Sequence, residues 1–513
     1  MNNRRYFLRN TALIGVGGAT FQAREPNTIV IDPKPLFDIS PYLYMQFMEP
    51  LGVTDSSVEA CWDYHADDWR KDFVEAVKDL APGCIRWGGI YTRYYKWREG
   101  VGPVPKRPPH LNYTWGGKET NRVGTHEFVD LCRRVGAEPL YGVNFLGDGI
   151  RRFWNTPREG NRSGDAREAA DWVSYANDPA SRERRAHGHP EPYNIKLWQL
   201  GNETSYGKAG FALEESIKHT IEFARVMRER DRSIELIGWG DRGPDGQLWA
   251  GKLLAHVGEW LNYVAIHLMG QRPRRPDTVL RGLRYQQAPE QAWEELIELS
   301  DNVEKRVSEL EQAITASRAK VRIAVTEGHL SMSPHNANPI LSEWLSGVYH
   351  ARSFNIYQRH GAMVRIATGA DFAGTRWTVN AVMLPVPGGP SYLMPAGAVM
   401  RLFKRHNGSH GVAVKHAPAG LDIAASRAGD RLFLHVANLE FRRSVEATFA
   451  VEGMTVTGGR VFEIAPENPR AYVNADEPNT FAPKEKPIPA GPLLSWRFPA
   501  ASVSAVELDL AGA

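Results

Sequence analysis

Ile195-Lys196-Leu197-Trp198-Gln199-Leu200-Gly201-Asn202-Glu203 is the segment on which the reading of this chain turns. A short run, apolar on both faces, stops at a glycine and then presents an amide and a carboxylate. Strands covered on both faces read as near-continuous apolar runs and belong to parallel sheets. In an eight-stranded β/α barrel, the polar residues that follow such strands gather at one mouth.

Seven further runs share this character, at residues 42–47, 84–87, 139–144, 234–239, 263–267, 323–326 and 363–367. Helical patterns lie between them. Trp69, Phe73, Val77 and Leu80 fall on one face of a helix expected over 67–80. Thr125 is expected to cap a second helix, with Phe128, Leu131 and Val135 as its apolar stripe and Gly136 as its stop. A long amphipathic stretch over 289–317 reads as an outer structural helix. Eight strands alternating with helices predict an α/β fold, a (β/α)8 TIM barrel over residues 38–398. The pattern then changes. Runs at 421–424, 432–437, 444–451, 459–464, 494–498 and 502–508 alternate with Gly, Asp, Asn and Pro and with no helix. They predict a C-terminal antiparallel β-sandwich over 399–513. A lone strand pattern at 27–32 is expected to join it, which assigns residues 24–37 to the same domain.

A chain of 513 residues has room for a barrel of roughly 250 residues and a smaller domain. The formal net charge is only +3, so no broad basic surface and no nucleic-acid partner are expected. The run Arg272-Pro273-Arg274-Arg275 is locally basic and reads as a solvated loop. Cys61, Cys84 and Cys132 are odd in number and lack paired spacing, which argues against a disulfide framework or a structural zinc. No metal or organic cofactor is expected. Near the N-terminus, Arg4-Arg5 precedes an apolar stretch at 11–20, the pattern of a twin-arginine export signal. Residues 1–23 are therefore expected to be a signal peptide, and the protein periplasmic or secreted. That stretch is too short to span a bilayer, so no membrane partner is expected. The sequence sets no oligomeric state.

Polar residues near the strand ends define a candidate site. Glu49 follows the first run, Arg86 lies in the second and Asn144 ends the third. Asn202 and Glu203 follow the fourth, His267 ends the sixth and Glu327 follows the seventh. Two carboxylates flanking one bond are what glycosidic cleavage needs. One protonates the leaving oxygen, and the other attacks the anomeric carbon or activates water. The fourth and seventh strands stand across a barrel from each other, so Glu203 and Glu327 can face one bond. Either glutamate alone reads equally well as a structural acid; the pair points to catalysis. His267 is as readily structural as functional. Trp87, Trp97, Trp115, Trp154 and Trp377 fall in loops expected on the catalytic side, where aromatic planes can stack on sugar rings. Ordinary packing is the alternative for each.

At this point the sequence resembles a family. Trp198-Gln199-Leu200-Gly201-Asn202-Glu203 is similar to the acid/base motif of the α-L-arabinofuranosidases of glycoside hydrolase family 51, in clan A. Ile39-Ser40-Pro41-Tyr42-Leu43-Tyr44, with Phe47, Glu49, Leu51 and Gly52, resembles the family's opening strand. Arg86-Trp87-Gly88-Gly89 and Trp97-Arg98-Glu99-Gly100-Val101-Gly102-Pro103 resemble its second-strand region. The resemblance covers nearly all of residues 27–410. It implies a retaining hydrolase with Glu203 as acid/base and Glu327 as nucleophile. It further implies Asn202 on the hydroxyl beside the reacting carbon, Arg86 keeping the nucleophile ionised, Glu49 accepting from sugar hydroxyls, and His267 lining the cavity. Asn144, Trp97 and Trp377 complete the expected substrate-binding set.

Three places depart from the family. Ile90 stands where it has asparagine, Leu268-Met269-Gly270 where it has a tyrosine, and Gly328 where it has tryptophan. The expected substrate is a plant-type oligosaccharide or polysaccharide from which α-L-arabinofuranose is removed at chain ends. A related clan A hydrolase, such as a β-glycan endo-hydrolase or a xylosidase, is one alternative. A non-catalytic carbohydrate-binding barrel is the other.

Overall fold

The computed structural model describes residues 27–512 apart from 151–160, 207–209, 335, 387 and 492. Parallel strands Met45–Met48, Cys84–Trp87, Glu138–Val143, Leu197–Leu200, Glu235–Trp239, Tyr263–His267, Arg322–Glu327 and Val364–Ala367 pair side by side in chain order. The last of these pairs with the seventh strand; the chain then continues as Asp371–Gly374, whose Asp371 pairs with Phe47 of the first strand. Two consecutive segments thus share the eighth position and close the ring.

Met45 and Phe47, with Cys84, Leu140, Leu197, Ile237, Ala265, Ala324 and Ile366, form one cluster to which every strand contributes. It fills the barrel interior, so the barrel is a packed core and not a pore. Side-chain alternation sends Trp87, Trp198, Val264 and Val325 to the other face, into the larger core under the helices.

The helices follow the sequence with two corrections. The first begins only at Lys71, because Asp68–Trp69 pairs with Trp62–Asp63 as a short ribbon. In Thr125–Val135 the cap is Gly124, whose N–H donates to the Glu127 carboxylate at 2.9 Å. Thr125 is instead the first helical residue, and its hydroxyl accepts the Trp172 indole N–H at 3.1 Å. Pro289–Ser317 is one helix that buries Trp293, Leu296, Val303, Val307, Leu310 and Ile314.

The β-rich part also differs from expectation. Its strands hydrogen-bond as one nine-stranded sheet, with an added pairing between Val445–Val451 and Met454–Ile464, where the sequence predicts two facing antiparallel sheets. Thr28–Asp38 lies within it, antiparallel to His410–His416 but parallel to Val445–Val451. A strand arriving from far along the chain is free of hairpin connection and can take either direction. Lys484–Pro487 carries no apolar alternation because it is an edge strand with mostly exposed residues. Ile29, Ile31, Leu432, Leu434, Val461, Val506 and Leu508 form the core of this sheet. It docks on the barrel helices through the Trp293 and Trp344 indoles, which donate to the carbonyls of Leu439 and Ala501, both at 2.8 Å.

Candidate active site

Local backbone chemistry positions the two glutamates differently. After the fourth strand, Gly201 adopts φ +71, and a Cβ there would lie 2.3 Å from Asp148 Oδ1. The same oxygen accepts the Asn202 N–H at 3.1 Å and pins the turn. Glu203 itself has φ 54, uncommon for a residue with a side chain and the kind of backbone strain that collects at functional sites.

On the seventh strand, simple alternation from inward Ala324 would turn Glu327 away from the mouth. The pairing with the sixth strand shifts register, so that His267 lies opposite Glu327 and Thr326 becomes an extra residue. Such a bulge re-aims the side chains around it. Here it brings the Thr326 hydroxyl within 3.1 Å of His267 Nε2 and Glu327 into the same cluster as Glu203.

His267 sits between the carboxylates. Its Nδ1 is 3.0 Å from Glu203 Oε1 and 3.4 Å from Glu327 Oε2. Oxygens of the two glutamates lie within 4.8 Å of each other. Arg86 is fully buried and donates to Glu327 Oε1 at 3.0 Å and to Asn202 Oδ1 at 2.6 Å. Asn202 Nδ2 is buried and unpartnered, a donor left for something else. Arg93 binds Asp148 at 3.0 Å and reaches to 3.8 Å from Glu203 Oε2. Glu49 Oε1 accepts from the Tyr91 N–H at 2.9 Å and from the Trp115 indole at 3.0 Å.

Burial raises Glu203 above the usual carboxylate range, and Arg93 and then Arg86 only partly offset it. Burial also raises Glu327, the charge of Glu203 adds to the rise, and Arg86 pulls it down. Arg86 therefore acts in the expected direction, but burial outweighs it. His267 is pushed down to about 4 by burial and is neutral near pH 7. The Glu327 carboxylate beside Nδ1 can only accept, so His267 carries its proton on Nδ1 and accepts the Thr326 hydroxyl at Nε2. Glu203, His267 and Glu327 are the cluster with metal-ligand spacing among the described residues. Two guanidinium groups already neutralise these carboxylates, which disfavours a further cation there.

Several expected residues lie elsewhere. Asn144 Nδ2 is bonded to the Tyr95 and Arg162 carbonyls and its Oδ1 to the Gly147 N–H, so it clasps loops. Trp97 is buried, stacked parallel on Trp172 at 6.0 Å, with its indole N–H on the Glu168 carbonyl. Trp87 faces the outer core against Phe128. Trp377 is buried edge-on to Trp115, whose indole donates to Glu49. Trp154 lies outside the described residues. In each of these cases an aromatic ring or amide has a partner in the interior.

Four residues were not marked by the sequence. Asp241 accepts the His267 backbone N–H at 3.2 Å and the Tyr206 hydroxyl at 2.6 Å. Asp371, pushed up to about 7 mainly by burial, stands 3.3 Å from the Nδ1 of His329, which burial pushes down to about 4. The strand-end rule reaches Asp241, two residues past the fifth strand, and Asp371, which follows Val364–Ala367 and opens the second segment of the eighth position. The same rule reaches His329, two residues past the seventh strand, whereas Arg93 ends a 3-10 turn and carries no such signal.

Comparison with known proteins agrees with this geometry. Residues 76–287 match the alpha-L-arabinofuranosidase 1 domain. An intracellular exo-alpha-(1->5)-L-arabinofuranosidase of Halalkalibacterium halodurans is 33% identical over 254 residues, 47% of this chain and 48% of the relative. One of Bacillus subtilis is 36% identical over 211 residues, 39% of each chain. The matched part thus spans about half the length, or less, of these curated relatives. The arabinose complex of the Thermotoga maritima α-L-arabinofuranosidase superposes with a TM-score of 0.77 at 24% identity, covering 94% of this chain and 100% of that one. The expectation of export is corrected: these curated relatives are named intracellular. Arg4-Arg5 and the apolar stretch behind it lie outside the described residues, among which no helix is long and apolar enough to cross a membrane. In its matched domain, its curated relatives and its fold, the chain resembles the α-L-arabinofuranosidases of glycoside hydrolase family 51.

Proposed function

We propose that the chain is a retaining glycoside hydrolase that removes α-L-arabinofuranosyl residues from the ends of plant-type oligosaccharides or polysaccharides. One observation carries the reading: carboxylate oxygens of Glu203 and Glu327 lie within 4.8 Å of each other. Retaining enzymes hold such groups about 5–5.5 Å apart, whereas inverting ones need roughly 6.5–9.5 Å to admit a water. Glu327 attacks the anomeric carbon while Glu203 protonates the leaving oxygen. Glycosylation of Glu327 then removes a negative charge beside Glu203, whose pKa falls so that it can act as base toward water. The unpartnered Asn202 Nδ2 donates to the hydroxyl beside the reacting carbon, and Glu49 accepts from sugar hydroxyls. Residues 38–398 form the catalytic barrel, and residues 24–37 with 399–513 the β-rich domain.

The test is hydrolysis of nitrophenyl α-L-arabinofuranoside and of arabino-oligosaccharides. Glu327→Gln abolishes turnover of both. Glu203→Gln loses about 10²- to 10⁴-fold on oligosaccharides and less on the nitrophenyl glycoside, whose leaving group needs no proton. Full activity in either variant would sink the assignment. A second specificity within the clan is favoured by Gly328, buried where the family carries tryptophan after the nucleophile, with His329 buried beside it. A parallel panel of xylosides and β-glucans decides between the two.

A further inference from the structure

The basic run Arg272-Pro273-Arg274-Arg275 is exposed at Arg272 and Arg274, as a solvated loop should be, and it also borders a cavity. Arg272 and Arg274 line a cavity of about 890 Å³ that also contains Glu203 and His267. That volume falls in the range of ligand sites, roughly 300–1,000 Å³. Glu327, Arg86, Asn202 and Glu49 are not on its wall, so the cavity extends from Glu203 away from the nucleophile. A general acid must stand beside the leaving oxygen, and this space therefore receives the leaving group of the proposed hydrolysis.

The wall carries five cationic side chains against two carboxylates. Arg306 is neutralised by Asp241 and Arg242 by Glu309, and Lys305 lies 3.9 Å from the same Glu309. Arg272 and Arg274 have no ion pair among the described residues and are exposed at the cavity edge. Arg275, the third arginine of the run, is instead held by Glu294 and Glu298 on the long helix Pro289–Ser317. The loop is thereby anchored at one end, with two free guanidinium groups beside the site. Guanidinium forks match carboxylates in a bidentate way.

We propose that this side of the site binds an acidic leaving group, a uronate-bearing oligosaccharide whose sugar carboxylates pair with Arg272 and Arg274. The proposal rests on the hydrolase reading for the direction of the cavity, and it names the substrate class there.

Tri-galacturonate and its methyl ester are the probes, a charged ligand and its neutral match. At low salt the protein binds the acid about tenfold more tightly than the ester, the size of two partly exposed ion pairs. The preference shrinks as salt is added, and it disappears in Arg272→Ser/Arg274→Ser, whose melting temperature stays at the wild-type value. Equal binding of acid and ester, no binding of either, or a preference that survives in the double variant overturns the proposal. Wild-type turnover of nitrophenyl α-L-arabinofuranoside is measured alongside. Its absence would count against the hydrolase reading, while the acid-over-ester contrast still reports on the arginines alone.

Discussion

Replacing Arg86 with methionine removes a buried cation that touches Glu327. The guanidinium is fully buried and 3.0 Å from Glu327 Oε1. Coulomb attraction at this separation, with an effective dielectric near 20, amounts to about 5 kcal/mol before desolvation is subtracted. Carboxylates beside an arginine are typically lowered by about 1–3 pKa units, or about 1.4–4 kcal/mol. Glu327 is already raised by burial, and the substitution raises it further. Its ionised form is the one that attacks, so activity is lost as pH falls through its pKa. The acid limb of kcat/KM for nitrophenyl α-L-arabinofuranoside therefore moves toward alkaline pH by about 1–3 units. Activity returns in part at high pH. A buried charge stripped of its partner also costs stability, about 3–5 kcal/mol. Arg86→Met/Glu327→Gln recovers much of that, since no charge is then left unpaired. An acid limb that stays in place, or a double variant no more stable than Arg86→Met, would show that Arg86 does not set the ionisation of Glu327.

Trp97→Ala is expected to lower stability by about 3–5 kcal/mol in urea unfolding and leave KM within about twofold, because the ring packs on Trp172; a large rise in KM with little loss of stability would return it to the sugar site. His435 is buried between Phe403 and the His406 carbonyl, and burial pushes it down to about 3. Its folded pKa lies below the unfolded value near 6.5, so its contribution is complete above that pH and is lost as pH falls toward 3. By pH 5 the loss is about 2 kcal/mol, and His435→Gln should show a shallower fall in unfolding free energy between pH 7 and 5; an equal fall in both proteins would refute this.

Much of the barrel was legible because it rests on local pattern. Runs such as Leu197–Leu200 and Tyr263–His267 are apolar on both faces, and burial on both sides of a parallel strand demands that composition whatever the neighbours do. The same logic placed Glu203 and Glu327 at strand ends. It failed where contact partners are distant in sequence. Asn144 and Trp97 look like mouth residues by position, yet the Arg162 carbonyl and the Trp172 ring take them up. The β-rich domain was read strand by strand but not in its pairing, because nothing in residues 28–31 specifies that Thr448 to Val451 will lie parallel to them.

Periodicity and strand-end chemistry thus determined, from the sequence alone, the kind of barrel and the placement of Glu203 and Glu327 after its fourth strand and at the end of its seventh. The tertiary structure decided how those carboxylates meet. A register shift at Thr326 turns Glu327 inward, a left-handed backbone at Glu203 aims the other, and His267 comes to rest between them. The structure also set the solvated Arg272 and Arg274 at the edge of the cavity that contains Glu203. Pattern along the chain reports only what each residue needs from a neighbour. Which neighbour supplies it depends on distances set by folding, and the site is made of those distances.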